Sequence, residues 1–234
     1  MRAIPQDDGI VFSVFVAAVP SGHGRLGPLS LFQQNCGKRA GKLPNRRQKA
    51  TCFLQKMSQN PAISAVILNG GRARRMGTDK AVMRLGRRTL LGHARAVAAE
   101  LALPCTVLTA DDRPGLGPLG GIETALRLAQ GNRVLFLSCD MPFLQPALVA
   151  QLLAVEAPAV FVSAKGRVGF PFCLSPALLP KVSAQLDAGE RSLQALARRL
   201  RARRLRVRKI DWPQMENLNT PADVAAARAR LQSG

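Results

Sequence analysis

From residue 62 onward, hydrophobic and polar positions alternate in blocks whose period switches between strand-like and helix-like. "ISAVILN" (63–69) is a short apolar run that predicts a buried strand. "RTLLGHARAVAAEL" (88–101) places Leu90, Leu91, Ala94, Val97, Ala98 and Leu101 on one helical face. "TVLTA" (106–110) predicts a second strand, "IETALRLAQ" (122–130) a helix, and "RVLFLSCD" (133–140) a continuous apolar strand ending on Cys-Asp. A helix is expected from Gln145, with Pro146 suited to its first turn. "PAVFVS" (158–163) follows as a strand, then helices at about 176–186 and 190–203 and an alternating strand, "LRVRKI" (205–210). In the last stretch, "NTPADVAAARARLQ", Thr220 is an N-cap, Pro221 fits the first helical position and Asp223 completes a capping box. Strands alternating with helices predict an α/β fold, a Rossmann-like doubly wound three-layer sheet. In such sheets ligands sit beyond the carboxyl ends of the strands, where the strand order switches. That rule selects the loop after "AVIL" and the residue after "VLFLSC".

The first 60 residues carry no such period. "SGHGRLGPLSLFQQNCGKRAGKLPNRRQKA" mixes Gly, Pro, Gln and Arg throughout, which predicts disorder. Met57 stands four residues before the patterned region, so residues 1–60 are expected to be a disordered or mis-annotated extension and 61–234 a single α/β domain. The apolar run "IVFSVFVAAV" (10–19) is about half the length of a bilayer span. Asp7 and Asp8 precede it where a signal peptide carries basic residues.

Charge narrows the partners. The chain has 34 Lys and Arg against 14 Asp and Glu, a net charge of +20 that suits anionic ligands such as nucleotides and phosphorylated cofactors. Two histidines far apart, His23 and His93, leave little room for a His-based triad or a zinc site. Five scattered cysteines without CxxC spacing favour a reducing, cytoplasmic setting over a disulfide framework.

Four stretches carry chemistry. In "ILNGGRARRMGTDKA" (67–81), Gly70 and Gly71 remove side chains where a backbone approaches a ligand, and Arg72, Arg74, Arg75 and Lys80 surround the loop with positive charge. The pattern predicts a phosphate cradle, although it is neither GxGxxG nor a Walker loop. In "LSCDMPFL" (137–144), Asp140 ends a central apolar strand, a position that suits a Mg²⁺ ligand or a helix cap. "DDRPGLGPLGG" (111–121) is a rigid loop with exposed amides, able to bound a base or a ribose. "NLNT" (217–220) sets two asparagines before a capped helix.

"LNGGRARRMGTDKA", "GPLGGIETAL", "FLSCDMPFL", "DAGERSLQAL" and "NLNTPADV" occur in this order. Together they resemble the molybdenum cofactor guanylyltransferase (MobA-like) family of the nucleoside-triphosphate transferase superfamily, across roughly residues 62–228. The resemblance implies a transfer of GMP from GTP to the phosphate of molybdopterin carrying molybdenum, with Mg²⁺ as cofactor and pyrophosphate released. It implies a nucleotide site of Leu68, Asn69, Gly70, Gly71, Lys80, Asp111 and Asp140, with Asp112 the alternative to Asp111. Lys80, Arg75 and Asp140 are the implied catalytic residues, Asp140 the metal ligand, and Asn217 and Asn219 the acceptor side. The implied partners are GTP, Mo-molybdopterin, other proteins of cofactor biosynthesis and acceptor molybdoenzymes, with no membrane.

Two departures qualify the resemblance. The family usually has Ala where this chain has Asn69. It also has a helix and a strand between the positions of "TVLTA" and "DDRPG", so the sheet is expected to be one strand short at that edge and guanine selectivity is less secure than phosphate binding. The alternatives are a related transferase with another base or acceptor, cytidylyl or sugar-phosphate, and a non-catalytic relative. The run from Arg198 to Lys209, eight basic residues in twelve, predicts either a solvated edge or docking of an anionic partner. Nucleic acid ranks last among those partners, because the chain has no Tyr and a single Trp for stacking.

Overall fold

The computed structural model describes residues 63–69, 80–113 and 115–232, with Lys80 and Gln232 by their backbone alone. The expectations for the N-terminal extension, and for Gly70, Gly71 and Arg75, lie outside the described residues.

Six strands form the main sheet: β1 (Ile63–Leu68), β4 (Cys105–Leu108), β5 (Arg133–Ser138), β6 (Ala159–Ala164), β7 (Arg167–Leu174) and β8 (Arg203–Arg206), in the order β4-β1-β5-β7-β6-β8. Two short strands, β2 (Arg84–Leu85) and β3 (Arg88–Thr89), make a separate hairpin. The α-helices among the described residues are α1 (Leu90–Glu100), α2 (Pro118–Leu128), α3 (Pro146–Leu153), α4 (Leu179–Asp187), α5 (Leu193–Arg199) and α6 (Pro221–Gln232).

Strand alternation builds the three layers. Successive side chains of a strand point to opposite faces. Ile63, Ala65 and Ile67 of β1, with Leu135 and Leu137 of β5, face Ala94, Val97 and Ala98 of α1 and Leu148, Val149 and Leu152 of α3. Val66, Val134 and Phe136 face the other way, into a core shared with α2, α4 and α5. Phe172 sits at the centre of that second core, its ring stacked on Phe136 at 4.9 Å and on Phe161 at 4.6 Å between centroids.

Strand β7 differs from the expectation. The stretch 167–174 carries no strand in the sequence reading, yet it runs antiparallel through the middle of the sheet between β5 and β6. Gly169 and Pro171 hide it, since both residues ordinarily argue against a central strand. A bulge accommodates them: Phe161 pairs with Phe172 and Val162 with Gly169, leaving Phe170 and Pro171 outside the ladder. The turn that joins β6 to β7 has positive φ at Lys165 and Gly166, as a tight two-residue hairpin requires.

At the opposite edge, β4 pairs only with β1 among the described residues. The sheet therefore ends where the shortened connection predicts. β8, at the other edge, carries Arg203, Arg204 and Arg206, all exposed. The expected helix over 190–203 is confined to 193–199, because the chain leaves α5 through a positive φ at Arg201 and enters β8 two residues before the expected strand.

A third, smaller core joins Leu85, Leu90, Leu218, Val224 and Ala227, with Met83 and Phe143 packed on it. It holds the β2–β3 hairpin and α6 together. The α6 capping box forms as its residues predict, with Asp223 N donating to Thr220 Oγ1 at 3.1 Å and Thr220 N to Asp223 Oδ2 at 2.8 Å.

Candidate active site at the carboxyl ends of the central strands

Parallel pairing brings the selected strand ends together. Leu68 is in register with Leu108 on one side and with Ser138 on the other, so β4, β1 and β5 finish level. Asn69 N continues the ladder to Leu108 O at 2.9 Å. The Asn69 carboxamide is turned towards β5, where Cys139 Sγ donates to its Oδ1 at 3.5 Å.

Asp140 stands one residue past Cys139 and is partly exposed. Ser138 Oγ donates to its Oδ1 at 2.6 Å, as two residues on one face of an extended strand end allow. Its backbone oxygen accepts from Leu218 N at 2.8 Å, which seats the 217–219 segment beside it. Asn217 and Asn219 are both exposed on that segment, and Asn219 N donates to Asp223 Oδ2 at 2.7 Å. Asp140 and Ser138 offer only hard oxygen donors, and among the described residues no three His, Cys, Asp or Glu side chains converge. One carboxylate with nearby hydroxyl oxygen fits Mg²⁺, which keeps waters and takes substrate phosphates rather than an all-protein cage.

On the other side of β1, Asp111 lies against the first turns of α2. A Cβ added at Gly121 would come within 3.0 Å of Asp111 Oδ1 and 3.2 Å of Leu68 Cδ2, and one at Gly120 within 3.3 Å of Asp111 Oδ2. These two glycines are helical where the sequence suggests a loop, and their missing side chains let the carboxylate approach. Asp112 turns the other way and pairs with Arg127. Asp111 is thus the inner carboxylate of the pair.

Burial, and then the neighbouring Asp112 carboxylate, push the Asp111 carboxyl above the usual carboxylate range. The folded chain therefore holds that proton more tightly than the unfolded chain does. The stability this contributes is complete below the unfolded value of about 3.9 and is lost as pH rises through the raised folded value. Asp111→Asn is expected to raise Tm at pH 7, with the gain shrinking as the pH is lowered towards 4. A thermal melt series over that range checks it, and a lower Tm at pH 7 would mean that the carboxylate makes a net favourable contact.

The structure thus brings Leu68, Asn69, Asp111 and Asp140 together at one end of the sheet and sets the Asn217–Asn219 segment beside Asp140. The side chain of Lys80 lies outside the described residues, while its backbone opens the 3-10 turn Lys80–Val82. His93 lies outside the site: its Nε2 bonds Leu85 O at 2.9 Å. Sequence reasoning missed Ser138, whose spacing of two from Asp140 at a strand end was a legible signal. It also missed a buried Glu123 with Arg113 and Arg127 around it, for which only the four-residue spacing of Glu123 and Arg127 gave a hint.

The chain is similar to known proteins in sequence and in fold. Residues 65–110 and 94–205 match the MobA-like NTP transferase domain. A molybdenum cofactor guanylyltransferase of Ectopseudomonas mendocina is 34% identical over 183 residues, covering 70% of this chain and 90% of that protein. In fold, the crystal structure of molybdopterin-guanine dinucleotide biosynthesis protein A from Archaeoglobus fulgidus superposes with a TM-score of 0.57 at 18% identity, over 73% of this chain and all of that one. A 2-C-methyl-D-erythritol 4-phosphate cytidylyltransferase from Thermus thermophilus superposes with a TM-score of 0.54 at 17% identity, over 72% and 98% of the two chains. Use of a divalent metal ion is consistent with this family. Among the described residues no helix is long and apolar enough to cross a membrane. The coverage and identity of these matches, together with the convergence of the strand-end residues, mean that the chain belongs to the MobA-like NTP transferase family and is a nucleotidyltransferase whose relatives are molybdenum cofactor guanylyltransferases.

Proposed function

We propose that the chain transfers GMP from Mg²⁺-bound GTP to the terminal phosphate of Mo-molybdopterin. The observation that carries this reading is the contact of Leu218 N with Asp140 O, which sets the Asn217–Asn219 segment beside Asp140. A phosphate oxygen of the acceptor attacks the α-phosphorus. The new P–O bond forms as the bond to the β-phosphate oxygen breaks, and pyrophosphate leaves with that electron pair. A phosphate monoester is already anionic near neutral pH, so the step needs positioning and charge stabilisation more than a general base.

Each residue then has a task. Asp140 would hold the metal ion, and Ser138 fixes the carboxylate by its hydrogen bond to Oδ1. When bound, Mg²⁺ would neutralise charge on the triphosphate and polarise it for attack. Leu68, Asn69, Gly70 and Gly71 line the triphosphate. Lys80 and Arg75 offset its charge, Asp111 contacts the nucleoside, and Asn217 and Asn219 orient the acceptor. The thiols of Cys105 and Cys173 are free, which supports a reducing compartment, and we place the reaction in the cytoplasm. The product would pass to acceptor molybdoenzymes or to other proteins of cofactor biosynthesis.

A second reading keeps the scaffold and changes the base. The likeness to a cytidylyltransferase fold supports it, as does the absence of a strand beyond β4 among the described residues. Isothermal titration of the full chain with GTP, CTP and ATP in the presence of Mg²⁺ decides between them. The expected result is GTP bound at least about tenfold more tightly than CTP, a difference of about 1.4 kcal/mol. Equal binding would favour the second reading, and no binding of any nucleotide would leave a non-catalytic relative.

A further inference from the structure

The Asp111 loop is held by a buried charge that the proposed chemistry does not use. Glu123 lies on α2 and is 2% exposed. Its Oε1 accepts a hydrogen bond from Ser183 Oγ of α4, at 2.5 Å. Arg113 Nη1 and Arg127 Nη2 each stand 3.6 Å from the same oxygen. Oε2 has no hydrogen-bond partner among the described residues. An ionised carboxylate so buried is destabilising unless positive charge balances it, and here the two guanidiniums do so.

Both guanidiniums belong to the Asp111 loop or grip it. Arg113 is two residues beyond Asp111 and reaches on to Asp187 at 2.8 Å. Arg127 pairs with Asp112, whose amide also donates to Thr124 Oγ1 at 3.0 Å. Three successive residues are therefore tied to α2: Asp111 through the gap at Gly120 and Gly121, Asp112 through Arg127 and Thr124, and Arg113 through Glu123. Little else packs this loop down. Thr109, Ala110 and Asp112 are exposed, and of the described residues from 109 to 117 only Leu116 joins a core. With β4 running straight into the loop, ionic anchoring takes the place that packing against a further helix would have. Ion pairs at an open surface are weak and screened by salt, but one partner here is buried, where screening is small.

The geometry points to Glu123 as a positioning residue for nucleotide binding, acting through Arg113 and Arg127 to set where the Asp111 carboxylate stands. This rests on the reading that Asp111 contacts the nucleotide. It predicts a defect in KM for GTP rather than in the chemical step.

Steady-state pyrophosphate release by the full chain, with GTP, Mg²⁺ and Mo-molybdopterin, tests it. For Glu123→Gln, KM for GTP is expected to rise about five- to tenfold, with kcat within about twofold and KM for the acceptor unchanged. Arg113→Ala should give the same rise, and the double variant should add nothing further. A lowered Tm with KM for GTP at the wild-type value would overturn the inference, because a merely structural role predicts that result. If Glu123→Gln does not fold, Arg113→Ala decides by the same criterion, its side chain being 40% exposed. Wild-type protein in the same series separates the two readings. If it binds no nucleoside triphosphate, the role of Asp111 falls and this inference with it. If it turns over GTP while both variants keep the wild-type KM, the inference alone falls.

Discussion

Asp140→Ala is expected to lower Mg²⁺-dependent turnover by about a thousandfold or more while the fold stays intact. The side chain is the one carboxylate at the end of β5, and its Oδ1 is already oriented by Ser138. Removing it takes away the only charged ligand proposed for the metal ion at that strand end. The tie to the 217–219 segment survives, because Leu218 donates to the backbone oxygen of residue 140 and not to its side chain. Ser138 is itself partly exposed, so its hydroxyl can turn to water. Pyrophosphate release and thermal melts on the same samples check both halves of the expectation. Asp140→Asn keeps an acceptor for Ser138 and should be nearly as inactive, which separates charge from hydrogen bonding. Wild-type turnover in either variant would remove Asp140 from the metal site.

Phe172→Ala should have the largest effect on stability. Phe172 is fully buried and stacks between Phe136 and Phe161, with Phe170 tilted against it at 4.9 Å. Truncating a buried phenylalanine costs about 3–5 kcal/mol, a large share of the roughly 5–15 kcal/mol that holds a domain folded. For a domain of this size that corresponds to a fall in Tm of roughly 6–20 °C. Phe172→Leu should lose much less, since most of the volume is kept. Denaturant unfolding monitored by circular dichroism measures both. A loss below about 1 kcal/mol for the alanine variant would show that β5, β6 and β7 close over the gap.

What could be read from the sequence follows from how far apart the determining residues lie. β1, β5, α1 and α6 were legible because each carries its own pattern: a continuous apolar run, a 3.6-residue stripe, or a cap box. The strand-end rule selected the loop at Asn69 and Asp140, and the parallel pairing of β1 with β5 brings those two strand ends level. β7 was not legible. Its Gly169 and Pro171 contradict a strand locally, and only the bulge opposite Phe161 and Val162 makes them tolerable. The start of α2 was missed for a related reason. Gly120 and Gly121 look like loop residues, and their place in a helix is explained by the Asp111 carboxylate and the Leu68 side chain pressed against them. The ion-pair hub around Glu123 was hidden because Ser183 and Asp187 are brought to it by tertiary packing alone.

The contact between Leu218 and Asp140 also sets an order in time. The two residues are 78 positions apart in the chain, and Asp140 is made long before its partner segment. At a synthesis rate of roughly 5–20 residues per second, residues 217–219 are made on the order of 4–16 s after Asp140. Much of the sheet can assemble in that interval, the local β6–β7 hairpin included. A nascent or prematurely ended chain would therefore hold much of the sheet before the 217–219 segment reaches Asp140, and the proposed acceptor side would be the last part of the site to form.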